Sequence, residues 1–262
     1  MGSATRESLS VVVEAVSALG AKAKPVVGEE LLSAARLISS TPQLRGLLAD
    51  PSAPAAQKTE IVDRVFGALG APARGILGVA AQARFSSEDD LVAAIEEAGI
   101  RVLAATSKAA VGEQLFAFGR LITQDAELEL ALSSKLGDPS ARGTLVETLL
   151  AGKADAATVA ILAHLVRDPR GRRIRALVED AVSIVADVAG TRVATVTVAS
   201  PLGASQLAAL QKGLAARYGA ELSINQVVDP TVLGGVRVRV GTEVIDGSIS
   251  ARLNDLRLQL AG

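Results

Sequence analysis

The chain repeats itself at an offset near 84 residues, and this restricts its fold more than any other property. Gly28, Glu29, Glu30 and Leu31, followed by Arg36, Leu37 and Ile38, lie over Gly112, Glu113, Gln114 and Leu115, followed by Arg120, Leu121 and Ile122. Leu44 and Leu48 lie over Leu128 and Leu132, and Ile61, Val62 and Asp63 over Leu145, Val146 and Glu147. With the offset reduced by one, Leu91 to Ala98 lie over Ile174 to Ala181. One such match would be chance in an Ala- and Leu-rich chain; several in register point to a duplication. The repeated stretches read as helix after short helix, with Pro and Gly at the joins. The first copy predicts helices near 5–19, 26–40, 42–49, 54–69 and 72–84. The second predicts them near 88–107, 111–124, 126–134, 139–151, 155–167 and 172–189. The 88–107 helix then closes the first bundle and opens the second, an expectation that a break within it would refute.

Such bundles need a core, and here it must be aliphatic. Hydrophobic residues make up 49% of the chain but aromatics only 2%, with no Trp. Small side chains bury less area each but let helices approach closely, which favours many packed helices over a few aromatic anchors. Zero Cys and one His exclude zinc sites, disulfides and Cys nucleophiles, and no cofactor pattern is present. A net charge of -1 argues against a dedicated nucleic-acid binder. The longest uncharged stretch, Val193 to Gln211, carries Thr, Ser and Gln and is interrupted by Pro201 and Gly203, so it reads as a strand and a helix start rather than a membrane span. Any association with a membrane is expected to run through a partner.

The pattern changes near Thr191. Thr191 to Ala199 is rich in β-branched residues and predicts a strand; Leu222 to Val228 predicts another. Between them, Leu207, Leu210, Leu214 and Tyr218 share one face of a helix that ends at Gly219. Val236, Val238 and Val240 alternate with Arg237 and Arg239, Gly241 and Thr242 fit a two-residue turn, and Glu243 to Asp246 returns as the partner strand. Asp246 or Ser248 can cap a last helix with Ile249, Leu253, Leu256 and Leu260 on one face. The fold class is mainly α with a small α+β C-terminal domain: two tandem short-helix bundles, then a mixed sheet covered by two helices. Domain boundaries fall at 1–87, 88–190 and 191–262.

This tail resembles the C-terminal signature of the delta subunit of F-type ATP synthases, whose mitochondrial counterpart is the oligomycin-sensitivity-conferring protein. The matching residues are Val228, Asp229 and Pro230, then Leu233, Gly234, Gly235 and Val236, then Val240, Gly241, Val244, Ile245, Asp246, Gly247 and Ser248, and finally Arg252 and Leu253. The second helical copy is similar to the family's ordinary N-terminal domain, so this chain resembles the longer form with a duplicated helical domain. The resemblance implies a non-catalytic peripheral-stalk subunit linking the catalytic head to the membrane-anchored b stalk, so that rotation couples proton transport to ATP synthesis. It implies no cofactor and no metal. It implies two partners, the N-terminal helices of the alpha subunits and the C-terminal region of the b subunit, with no nucleic acid and no direct membrane insertion. The expected location is the cytoplasmic face of the bacterial plasma membrane, held through the complex. Carried over, the helical groove for alpha has Leu91, Ile95 and Val102 on one wall and Val159, Leu162 and Leu165 on the other, each equally readable as core. Ile249, Leu253 and Leu256 serve the C-terminal fold, the b contact, or both. The first helical copy is expected to contact the stalk or brace the second copy.

Candidate chemistry is sparse. His164 lies in an apolar helical run from Ile161 to Val166, with no nucleophile motif beside it, and reads as structural. Arg167, Arg170, Arg172, Arg173 and Arg175 form the densest basic cluster, readable as an acidic-partner patch but better as a solvated helix junction. Gly234 and Gly235 precede a strand rather than a helix and lack a following Lys, so a close backbone passage suits them better than a phosphate cradle. Asp89 and Asp90 start a helix, while Glu96 and Glu97 are expected on its polar face. Two readings from other classes stay open: a helical adaptor unrelated to ATP synthase, and an enzyme using His164 and the Arg cluster on an anionic substrate.

Overall fold

A computed structural model describes residues 2–133, 138–232, 234–241 and 243–249. The chain forms two compact units, Met1–Val185 and Ala186–Gly262. In chain order the helices are α1 (Ser3–Ser17), α2 (Pro25–Ser40), α3 (Pro42–Ala49), α4 (Ala55–Val65), α5 (Ala71–Gln82), α6 (Glu88–Thr106), α7 (Val111–Gln124), α8 (Ala126–Ser133), α9 (Pro139–Leu150), α10 (Ala156–Arg167) and α11 (Ile174–Val188). Their ends follow local chemistry. Pro25, Pro42 and Pro139 occupy first turns, where a missing N–H costs nothing. Ser87 Oγ accepts from Asp90 N at 3.2 Å, Asp138 Oδ1 from Ser140 N at 3.0 Å and Asp155 Oδ1 from Ala157 N at 2.9 Å, so α6, α9 and α10 each start on a side-chain cap.

The first unit is organised around α6, which runs unbroken from Glu88 to Thr106. It packs against α1, α2, α3 and α5 and also meets α10. Its approach to α2 is backbone-close: a Cβ on Gly28 would lie 2.6 Å from Leu103 Cγ and 2.9 Å from Gly99 O. A Cβ on Gly99 would lie 2.8 Å from Leu32 Cδ2 and 3.0 Å from Gly28 O. Two facing glycines thus let the helices touch, and Leu31, Ala35, Ile38, Leu77, Leu91 and Ile95 fill the surrounding core. At the repeat-equivalent position Gly112 of α7 faces α11 more loosely, its Cβ reaching only Val185 Cγ1 at 3.5 Å.

The second unit is a four-stranded sheet in the order β2-β1-β3-β4. The strands are β1 (Arg192–Val198), β2 (Leu222–Val228), β3 (Val236–Val240) and β4 (Glu243–Asp246), with α12 (Ala204–Tyr218) connecting β1 to β2. β1 runs parallel to β2 and antiparallel to β3, with Ala194 opposite Val240, Val196 opposite Val238 and Val198 opposite Val236. These side chains and Leu222 form the core with Leu210, Leu214 and Tyr218 of α12. Gly219 ends α12 in the left-handed region at φ 63, its N–H donating to Ala215 O. Arg237 and Arg239 are exposed, as the alternation predicts. The expected last helix, with Leu253, Leu256 and Leu260, lies outside the described residues beyond Ile249. Among the described residues no helix is long and apolar enough to cross a membrane.

Candidate functional site

The densest buried polar constellation centres on Glu96, which is 5% exposed and sits on α6 where α2 and α10 meet it. Its expected place on a polar face is corrected: α6 is packed on several sides and has no continuous solvated stripe there. Glu96 Oε2 is 2.9 Å from His164 Nε2, and its Oε1 accepts from Arg170 Nη2 at 2.7 Å and Arg172 Nη2 at 2.9 Å. On the far side of the ring, Arg36 Nη1 of α2 lies 2.8 Å from His164 Nδ1. A guanidinium has only donors, so Nδ1 must accept and Nε2–H must donate to the carboxylate. The ring is therefore neutral.

The basic cluster is also corrected. Arg170 and Arg172 turn inward onto Glu96 instead of into solvent, while Arg167 pairs with Glu147 at 2.7 Å and Arg175 with Glu179 at 3.1 Å. Arg170 adopts φ 46, the only non-glycine positive φ among the described residues. Its strain, roughly 1–2 kcal/mol, is the cost of turning the chain sharply enough between α10 and α11 to bring this guanidinium back to α6. Burial alone would push the Glu96 carboxyl up, but the His164 hydrogen bond and the Arg170 and Arg172 charges prevail and hold it at about 2. Burial lowers His164 below the usual imidazole value, and Arg36 and Arg170 add to that against the pull of Glu96.

This arrangement holds structure and has no reactive group. Every acceptor of Glu96 and both nitrogens of His164 are engaged, no nucleophile joins them, and the described residues contain no group of three or more acidic or histidine side chains able to hold a metal. The sequence joins His164 to the arginines only in the anionic-substrate reading, sets Glu96 on a polar face instead of beside them, and gives Arg36 no role. The available signal was the histidine inside an apolar run, because a buried imidazole needs partners on both nitrogens.

Among the residues expected to wall a groove, Leu91, Ile95, Val102, Leu162 and Leu165 are 0–1% exposed and belong to the core; Val159 is partly buried. α2 lies against both α6 and α10 at this place. In the C-terminal unit, Asp229 Oδ1 accepts from Thr231 N at 2.9 Å and closes a turn. Gly235, at φ 83, passes the neighbouring backbone so closely that a Cβ would lie 2.5 Å from Gly247 O and 2.8 Å from Ser248 Cα. Gly234 has φ 94 and Gly241 φ 59, and Gly247 N donates to Val236 O at 2.9 Å. Asp246 accepts from Ser248 N at 3.0 Å and pairs with Arg237 at 2.9 Å. Ile249 is half exposed; Arg252, Leu253 and Leu256 lie outside the described residues. The glycine- and aspartate-rich tail is thus a set of turns that lock the hairpin.

Residues 100–260 match the family described as ATP synthase delta (OSCP) subunit. The chain is 53% identical to the ATP synthase subunit delta of Leifsonia xyli subsp. xyli, covering 100% of both chains. It is 38% identical to the ATP synthase subunit delta of Streptomyces avermitilis over 98% of each. A chain of the solved Toxoplasma gondii mitochondrial ATP synthase hexamer aligns at a TM-score of 0.39 and 19% identity, over 63% of this chain and 95% of that one, too remote a likeness to bear on the fold.

Proposed function

The chain belongs to the ATP synthase delta (OSCP) subunit family, a structural component of the peripheral stalk and not a catalytic subunit, and from that premise we propose how it grips its neighbours. The helical unit receives the N-terminal helices of the alpha subunits, and the α+β unit holds the C-terminal region of the b subunit. The chain works at the cytoplasmic face of the bacterial plasma membrane, associated through the complex. Residues 1–87 and 88–190 are two copies of one bundle that share α6. The observation that carries the reading is the full-length likeness to a delta subunit at 53% identity. The geometry supports it: both Glu96 oxygens and both His164 nitrogens are engaged by side chains of the protein itself, as a clamp requires.

Because α2 already lies on α6 and α10, a partner helix meets other apolar side chains first. Exposed apolar side chains of the helical unit include Leu121 on α7 and Leu130 on α8, the latter 72% exposed; those of the α+β unit include Val244 and Ile249. Holding such a complex at nanomolar strength takes about 12 kcal/mol, within reach of an amphipathic helix on a few desolvated anchors. The test is calorimetric titration of the full chain with an alpha N-terminal peptide and, separately, with the b C-terminal region. Leu130→Asp should weaken the first and spare the second, and Val244→Asp the reverse. Unchanged affinities in both variants would overturn the assignment of surfaces; no binding by the wild-type chain would overturn the partners. ATP-driven proton pumping in stripped membranes, restored by the wild-type chain, checks the assembled function.

A further inference from the structure

His164 is the only histidine of the chain, and it ties together helices contributed by different copies of the repeat. Arg36 comes from α2, Glu96 from α6 and the ring from α10. The wiring has one permitted protonation state. Arg36 donates into Nδ1 at 2.8 Å, and Nε2 donates into Glu96 at 2.9 Å. A second proton on the ring sets N–H against N–H across the Arg36 contact and places two cations side by side. The Glu96 contact, in contrast, is strengthened by the same proton. The ring therefore stays and Arg36 leaves, which it can do because its side chain is only half buried.

We propose that His164 is a proton-operated clasp: neutral, it binds α2 of the first copy to α10 of the second; protonated, it releases Arg36 and loosens that seam. Charged groups flank it on several elements, while Glu113 and Arg120 stand on α7, which also packs against α10. Arg36 stands on α2, and Glu96 on α6 with the Glu97–Arg101 pair one turn away. Arg167 and Asp168 end α10, with Arg167 held by Glu147 of α9. Arg170 and Arg172 lie in the following turn, and Asp180 of α11 reaches Arg172 at 3.7 Å. Arg170 and Arg172 already neutralise Glu96, so it cannot fully compensate a positive ring. Burial, Arg36 and Arg170 keep the ring neutral at ordinary pH, so release belongs on the acidic side of the usual histidine midpoint of 6.5. Each unit by which the closed form depresses that midpoint gives a tenfold bias towards the open form once the proton is on.

A single histidine makes the experiment unambiguous. In the 15N-labelled full chain, imidazole nitrogen shifts should show a neutral Nε2–H ring at pH 7.5 and a midpoint below 6.5. Across that midpoint, amide exchange in α2 near Arg36 and in α10 near His164 should accelerate by at least about tenfold. Arg36→Met should raise the midpoint and abolish the step, because no tie remains to break. His164→Gln, whose amide donates to Glu96 and accepts from Arg36 without titrating, should remain closed throughout. A proton on Nδ1 at neutral pH, a midpoint in Arg36→Met no higher than in wild type, or an exchange step that persists in His164→Gln would each overturn the clasp. The imidazole shifts of wild type and Arg36→Met decide the matter even where His164→Gln fails to fold.

Discussion

Replacing glycine by alanine inside a helix normally stabilises it by about 1 kcal/mol, yet at Gly28 the structure reverses the sign. The added Cβ would lie 2.6 Å from Leu103 Cγ, a branch point that cannot swing aside, and 2.9 Å from the carbonyl oxygen of Gly99. To recover ordinary contact α2 and α6 must part by several tenths of an ångström along a seam with buried Leu31, Ala35, Leu91 and Ile95 around it. Overpacking of that kind costs roughly 1–3 kcal/mol, and parting the seam adds lost dispersion contacts beyond it. Gly28→Ala should therefore be destabilising by about 1–2 kcal/mol net once the propensity gain is subtracted. Two controls share the chemistry and differ only in surroundings. At Gly75 of α5 a Cβ meets nothing within 4 Å, so Gly75→Ala should stabilise by up to about 1 kcal/mol. At Gly112, the repeat-equivalent of Gly28, the nearest atom is Val185 Cγ1 at an ordinary 3.5 Å, so Gly112→Ala should be neutral or mildly stabilising. Urea unfolding followed by far-ultraviolet circular dichroism orders the three by midpoint. A Gly28→Ala midpoint equal to or above that of Gly75→Ala would refute the close α2–α6 approach.

Acid should destabilise the helical unit in two stages. His164 is lowered in the fold, so the unfolded chain takes up a proton near 6.5 that the folded chain refuses, and stability falls as pH drops through 6.5. Glu96, held at about 2 against the usual 4.5, contributes stability above 4.5 that is lost as pH falls from there towards 2, on the order of 3 kcal/mol in all. Urea midpoints measured from pH 8 to pH 3 should decline in that order, the first stage vanishing in His164→Gln; a midpoint that rises on acidification would contradict both. In the α+β unit, Gly235→Ala should cost about 2 kcal/mol or more, because φ 83 is combined with backbone atoms 2.5 and 2.8 Å from the new Cβ. Gly241→Asn should be tolerated, since φ 59 suits asparagine and nothing lies within 4 Å. Limited proteolysis of the α+β unit separates the two, and equal resistance would count against the close passage.

The secondary structure was legible because its punctuation is local. Prolines, capping aspartates and Ser87 mark helix starts within the residues that form them, and β-branched alternation marks β1 and β3. Burial was less legible, because it depends on which faces meet. Leu91, Ile95, Leu162 and Leu165 carry the spacing of a buried stripe, but spacing alone leaves open whether a partner or the chain itself covers it; here the protein's own helices do. Glu96 was misread for the same reason. A glutamate between Ile95 and Glu97 has no local sign of burial until the Arg-rich turn after α10 is folded back onto it.

The repeat makes this divergence explicit, because equal residues at equal positions have met unequal surroundings. Gly28 lies in a seam too tight for a methyl group, whereas Gly112 does not. Glu96 is buried among three cationic or imidazole groups, whereas its counterpart Glu179 is largely solvated and pairs with Arg175 four residues away. The cause is the number of helices that pack on α6. A helix that packs against α2 and also meets α10 has little face left for solvent, while α11 pairs its Glu179 at the surface. The charge on so enclosed a helix is met by Arg170 and Arg172 through one oxygen and by His164 through the other, and only the ring's far nitrogen reaches back to Arg36 of α2. Truncating the chain before α6 would therefore do more than remove a bundle: it would delete Arg36 and expose the α2-facing side of α6, leaving the remaining helices with an uncovered apolar face and a histidine short of its acceptor role.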